Sequence, residues 1–159
     1  VYTPMKRVSW FNTTVGAIPG ALPPMCGWAA ASGNLNVGAW VLFAILFVWQ
    51  HPHFYAIAWM CKDDYRNAGL KMLSVVSPAG TFRQTIIYSV ILIGISVLPV
   101  ITGMAGHRYA VGAVVLGLAM LAVALVFART KTLLDARRLL KASVIYLPLL
   151  VGLMILDRL

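Results

Sequence analysis

The sequence predicts an all-α integral membrane protein, a helical bundle with five transmembrane helices, and three observations carry that prediction. Of 159 residues, 61% are hydrophobic and 11% are charged, with a mean hydropathy of +0.87. A soluble domain of this size carries about a quarter charged residues. Five apolar runs approach the roughly 20 residues needed to cross a hydrocarbon core of about 30 Å. The basic residues gather in alternate connections between those runs. The high apolar content excludes disorder, and 13 Gly and 2 Cys exclude collagen-like and disulfide-rich secreted classes. Cys26 and Cys61 have no CxxC or Cys/His spacing and read as reduced, inert thiols.

The first span covers about 9–31 and contains Pro19, Pro23 and Pro24. The second covers about 38–60, with Pro52 inside it. The third and fourth cover about 85–105 and 109–128. The fifth covers about 139–156, its apolar part beginning near Ser143 and extended toward the N-terminus by 137–142. Gly16, Gly20 and Gly27 in the first span, and Gly112 and Gly117 in the fourth, suit close helix packing in lipid. With no internal repeat or linker, residues 1–159 read as one transmembrane domain. The chain begins with Val, without a secretory or transit segment before its first apolar run, so it is expected to be processed or a fragment.

Charge sets the orientation. The net charge of +9 would suggest nucleic acid in a soluble protein, but no basic aromatic platform accompanies it. Lys6 and Arg7 precede the first span. Lys62, Arg66, Lys71 and Arg83 follow the second, and Arg129, Lys131, Arg137, Arg138 and Lys141 follow the fourth. Thus 11 of the 13 basic residues lie on one side, with Arg108 and Arg158 as exceptions. Five alternating spans then place the N-terminus and both basic connections inside.

Three polar features interrupt the apolar pattern. The first is Trp49-Gln50-His51-Pro52-His53-Phe54, in the second span. Polar groups at membrane depth face a cavity or the bundle interior. The histidines stand at i and i+2, so they point to different helix faces and a shared metal site is not expected. Two alternatives stand for each: a hydrogen bond to a neighbouring helix, or a role in chemistry. The second feature is Lys62-Asp63-Asp64-Tyr65-Arg66 on the inner side, holding half of the four acidic residues. Carboxylates there can hold Mg²⁺, which neutralises a phosphate ester, while basic neighbours contact phosphate oxygens. The structural alternative is a solvated turn with local ion pairs. The third is Tyr2-Thr3-Pro4-Met5-Lys6-Arg7 with Asn12, either a positive-inside anchor or further donors to the same inner site.

These residues carry a resemblance. The run from Tyr2 to Arg7, then Asn12, Gly16, Gly20-Ala21-Leu22-Pro23-Pro24 and Gly27-Trp28, resembles the protohaem IX farnesyltransferase (haem O synthase) branch of the UbiA-type intramembrane prenyltransferases. So do Trp49-Gln50, Pro52-His53-Phe54, Asp64-Tyr65, Ala68-Gly69 and Met72-Leu73. The likeness is dense over about 1–80 and rests mainly on hydropathy beyond.

The resemblance implies a nine-helix bundle with two acidic loops on its inner face. The first acidic motif is not in this sequence, so the chain is expected to be the last five helices and inactive alone. In the second loop Asp64, with Asp63 beside it, stands where other UbiA-type enzymes carry a spaced pair. The resemblance makes Asp64 and Asp63 metal ligands for Mg²⁺ and Asp64 and His53 catalytic. It places Tyr2, Lys6, Arg7 and Asn12, joined by Lys62 and Arg66, around a diphosphate. His51 falls at a variable position. The implied reaction transfers a farnesyl group from farnesyl diphosphate to a vinyl group of haem b, giving haem O, with haem A synthase as a partner. The site would face a bacterial cytoplasm or a mitochondrial matrix, and Met72-Leu73-Ser74, where bacterial relatives usually read Met-Leu-Pro, points to the latter. For His53 the alternatives are iron ligation, a propionate hydrogen bond, proton transfer and helix packing. The competing functions are a UbiA-type enzyme with an aromatic acceptor and a non-catalytic bundle such as a transporter half or assembly factor.

Overall fold

The computed structural model describes residue 9 and residues 11–157, so Tyr2, Lys6 and Arg7 lie outside the described residues. All regular structure among the described residues is helical. Helices α1 (Asn12–Gly20) and α2 (Leu22–Ser32) occupy the first predicted span. They are separated only at Ala21, which keeps helical dihedrals (φ −94°, ψ −4°). Pro23 and Pro24 supply no N–H and so sit in the first turn of α2, where those donors would have no intrahelical partner. Hydropathy predicts one span here, and the prolines divide it. Gly33, at φ +73°, ends α2 in the left-handed region with its N–H on the Ala29 carbonyl (2.8 Å).

Asn36 then caps α3 (Val37–Met60), accepting from the Gly38 N–H at 3.0 Å. This helix continues through Pro52. Short helices α4 (Lys62–Asn67) and α5 (Leu73–Val76) follow. Ser77 caps α6 (Pro78–Ile101) through the Gly80 N–H (3.1 Å), and Pro78 takes its first position, so this helix begins well before the apolar run that predicts it. Helix α7 spans His107–Thr130 and α8 spans Leu133–Leu156. Thr132 caps α8 by accepting from the Asp135 N–H (3.1 Å). The Asp135 carboxylate accepts from Thr130 (2.7 Å), Thr132 (2.8 Å) and Arg138 (2.8 Å). This reciprocal cap pulls Arg137, Arg138 and Lys141 into the helix, where their aliphatic stems can lie along it with the charges toward the interface.

Helices α3, α6, α7 and α8 are each 24 residues long and apolar enough to cross a membrane. They form a closed ring in which α3 packs on α6, α6 on α7, α7 on α8, and α8 on α3. Helices α1 and α2 pack on the outside of α3. Ile45, Leu92, Met120, Phe127, Leu139 and Leu150 fill the ring. Large apolar side chains such as Val111, Val115 and Ile145 point outward, as lipid contact requires. Buried hydroxyls inside the ring find carbonyl or hydroxyl partners. Thr85 and Ser89 donate to carbonyls one turn back, Tyr109 donates to the Ser96 carbonyl (2.8 Å), and the Ser96 and Tyr146 hydroxyls meet at 2.7 Å. At the α6–α7 turn the Asp157 carboxylate accepts from the Gly106 N–H.

Candidate functional site

The polar segment of α3 turns its side chains to different neighbours, as the spacing predicts. Gln50 and His51 turn toward α1. The Gln50 amide donates to the Ala17 carbonyl (3.3 Å) and to Leu46 on its own helix (3.1 Å). His51 is fully buried, with Nδ1 2.8 Å from the Phe47 carbonyl, its ring stacked on Tyr88 at 3.8 Å and Nε2 3.4 Å from Thr14 Oγ1. A carbonyl can only accept, so His51 carries its proton on Nδ1. Trp49 and His53 turn toward α8 instead. Trp49 Nε1 donates to the Ser143 carbonyl (2.8 Å), and His53 Nδ1 lies 2.8 Å from Ser143 Oγ with its ring stacked on Trp49 at 4.9 Å. The two histidines therefore serve different interfaces.

At the end of the bundle where Lys62, Arg66 and Lys71 lie, α1, α3, α4 and the 68–72 connection border a cleft of about 230 Å³. Thr13 and Gly16 line it from α1, Phe54 and Ile57 from α3, Tyr65 from α4, and Leu70 and Met72 from the connection. Helix α4 forms because Asp63 and Asp64 stand in its first turn and Arg66 in its last, where each favours the helix dipole. Gly69, at φ +67°, ends the segment, and the Leu70 N–H returns to the Tyr65 carbonyl (2.9 Å), so Tyr65 and Leu70 enter the cleft together.

The sequence-predicted residues take distinct places here. Asp64 is exposed and makes no ion pair among the described residues. Asp63 accepts from Arg66 at 3.0 Å, and both are exposed. Lys62 Nζ lies over the Trp59 ring, 4.8 Å from its centroid. Asn12 is fully buried at the start of α1, its amide on the Ser9 carbonyl (2.8 Å), while its neighbour Thr13 lines the cleft. Among the described residues no three His, Cys, Asp or Glu side chains gather as a metal site. The pair Asp63 and Asp64 offers hard oxygen donors, and Mg²⁺ is often held by one or two carboxylates with substrate phosphates completing its shell. The donor set thus fits Mg²⁺ bound together with a phosphorylated ligand.

Sequence reasoning does not single out Tyr65, Thr13 or Ser143 as site residues. Ser143 is a polar residue within an apolar run, which was the available signal for it.

A cleft with mostly apolar walls thus opens beside the short helix that carries Asp63 and Asp64, in a bundle with four helices able to cross a membrane. The chain belongs to the UbiA prenyltransferase family, whose model matches residues 1–147. It is 56% identical over 160 aligned positions to a protoheme IX farnesyltransferase of Solibacter usitatus, covering 99% of this chain and 55% of that protein. It is 48% identical to the protein of that name from Salinibacter ruber, covering 99% of this chain and 56% of the relative. A mitochondrial protoheme IX farnesyltransferase of Arabidopsis thaliana is 37% identical, with 99% of this chain and 37% of that protein covered. The chain thus spans about half the length of these two bacterial relatives. No solved structure matches it significantly.

Proposed function

We propose that this chain is the C-terminal part of a protohaem IX farnesyltransferase, which transfers the farnesyl group of farnesyl diphosphate to a vinyl group of haem b and yields haem O. The observation that carries this reading is the inner cleft. Its walls of Phe54, Ile57, Leu70 and Met72 suit an isoprenoid chain, and Asp64 stands next to the cleft-lining Tyr65 in the helix at its mouth. The names of the relatives supply the acceptor.

Asp64, with Asp63, would hold Mg²⁺ against the diphosphate from one side, and acidic residues outside this chain would complete the set. Bound Mg²⁺ neutralises the diphosphate charge and so improves it as a leaving group. Lys62 and Arg66 would supply surrounding donors, with the exposed Arg66 able to exchange Asp63 for phosphate, and the resemblance would add Tyr2, Lys6 and Arg7; Asn12, buried with its amide on the Ser9 carbonyl, would act by holding the start of α1. Departure of diphosphate leaves an allylic cation, and the apolar walls keep water from it until the vinyl group attacks. Capture of the resulting cation by water gives a hydroxyalkyl side chain and releases one proton.

The active face would be cytoplasmic in a bacterial plasma membrane or on the matrix side of a mitochondrial inner membrane, and haem A synthase would take the product. The test is complementation of a strain lacking haem O. The full-length protein is expected to restore haem O, and this chain alone is expected not to. Restoration by this chain alone would remove the requirement for residues outside it, and failure of the expressed full-length protein would remove the proposed reaction.

A further inference from the structure

The connection from α7 to α8 contains Lys131, the one non-glycine among the described residues with a left-handed backbone (φ 57°). Glycine takes this conformation freely, whereas a lysine there crowds its β-carbon against its own backbone. The turn is tied at both sides. The Lys131 N–H closes α7 on the Phe127 carbonyl (2.8 Å), and the Lys131 carbonyl accepts from Trp59 Nε1 (3.2 Å) at the end of α3. Both bonds use backbone atoms that a glycine would also supply. What the lysine adds is its side chain, which carries Nζ over Phe82, 5.7 Å from the ring centroid. Phe82 packs on Trp59 (4.6 Å) and Phe127 (5.2 Å), so three rings from α3, α6 and α7 gather at this end, and Lys62 Nζ stands over Trp59. Neither ammonium makes an ion pair among the described residues, where Asp63 holds Arg66 and Asp135 holds Arg138. Beside Lys131, the apolar side chains of Leu133 and Leu134 are exposed.

We propose that Lys131, with Lys62 as a second donor, holds the phosphate of an anionic phospholipid over the Trp59 and Phe82 rings, while Leu133 and Leu134 meet its acyl chains. The ring faces hold the ammonium groups in place, and each ammonium keeps N–H donors for phosphate oxygens. A free phosphate would answer the charge and leave the two leucines uncovered. A phospholipid answers both. The placing suits such a ligand, since tryptophan and lysine side chains bridge the apolar and polar layers of a membrane, and basic sites between helices on the inner side take anionic head groups. None of Trp59, Phe82 and Lys131 lines the cleft, so the lipid and the proposed reaction occupy separate places.

The test places the full-length protein in neutral detergent with equal phosphatidylglycerol and phosphatidylcholine and counts retained lipid by native mass spectrometry. The wild type is expected to keep phosphatidylglycerol in preference. Lys131→Gly and Lys131→Asn both suit the left-handed turn and remove the charge. Each is expected to retain about fivefold less, the effect of one lysine at an anionic membrane surface. Lys131→Arg is expected to retain the wild-type amount. Without lipid, Lys131→Gly is expected to unfold at or above the wild-type temperature, because the turn is relieved. Wild-type retention in both neutral variants would overturn the proposal. So would an equal loss in Arg137→Gln, which removes a charge from the same end and touches no ring among the described residues, since the lipid would then follow overall charge alone. Release of the lipid by inorganic phosphate at constant ionic strength would make free phosphate the ligand and overturn it as well.

Discussion

Gln50 occupies the space that a β-carbon on Gly20 would need: an added methyl would overlap the Gln50 side-chain oxygen. The Gln50 amide is buried and bonds the Ala17 carbonyl, so the glycine lets α1 approach α3 closely enough for a polar tie across the interface. Gly20→Ala would push the amide from its partners. The expected loss is about 1 kcal/mol, the scale of interhelical hydrogen bonds in membranes. Gly27, with open space around its missing β-carbon, provides the control, and Gly27→Ala is expected to leave stability unchanged or slightly raised. Thermal unfolding in detergent distinguishes the two, and equal effects would contradict the close approach.

The hydroxyls of Ser96 and Tyr146 join α6 to α8 inside the ring. Ser96→Ala and Tyr146→Phe are each expected to cost roughly 0.6–1.7 kcal/mol. Because both remove one bond, the double variant is expected to lose less than the sum. Additive losses in a double-mutant cycle would mean the bond contributes nothing. Tyr109 is unaffected in this comparison, since it bonds the Ser96 carbonyl.

Orientation can be read by chemical labelling. In a background with Cys26 and Cys61 replaced by Ser, Asn34→Cys lies in the α2–α3 connection and Lys71→Cys between α4 and α5. An impermeant maleimide added to intact cells or organelles is expected to reach position 34 and not position 71. After permeabilisation both are expected to react. Labelling of position 71 alone before permeabilisation would invert the topology.

Asp63 and Asp64 are adjacent but differ in their surroundings. Asp63 faces Arg66, an exposed pair worth about 0–1 kcal/mol, while Asp64 makes no such pair among the described residues. If Asp64 is the principal ligand, Asp64→Asn lowers product formation at least about 100-fold, the several kcal/mol expected of a metal-assisted step. Asp63→Asn is expected to cost less, and both variants to insert normally. Steady-state rates on purified protein check the order, and a reversed order would move the metal to Asp63.

The sequence made the membrane class legible because 61% apolar content leaves few alternatives, and the basic residues marked one face. It also separated the two histidines, since i and i+2 cannot share a helix face. It did not show where the helices begin. Ser77 and Thr132 start α6 and α8 with caps, and hydropathy averages over such single hydrogen bonds. Nor did it show that three prolines divide the first span at Ala21 while Pro52 leaves α3 whole. Within the site, the acidic residues were visible by chemical type. Tyr65 enters the cleft only because the turn at Gly69 returns Leu70 to it, a tertiary relation that spacing does not encode.

The most direct measurement is mass spectrometry of the porphyrin formed by the full-length purified protein given farnesyl diphosphate, haem b and Mg²⁺. A haem heavier by one farnesyl group and one hydroxyl group is expected, formed by the wild type and lost in Asp64→Asn. An unmodified porphyrin from folded wild-type protein, or prenylation of an aromatic acceptor in its place, would contradict it.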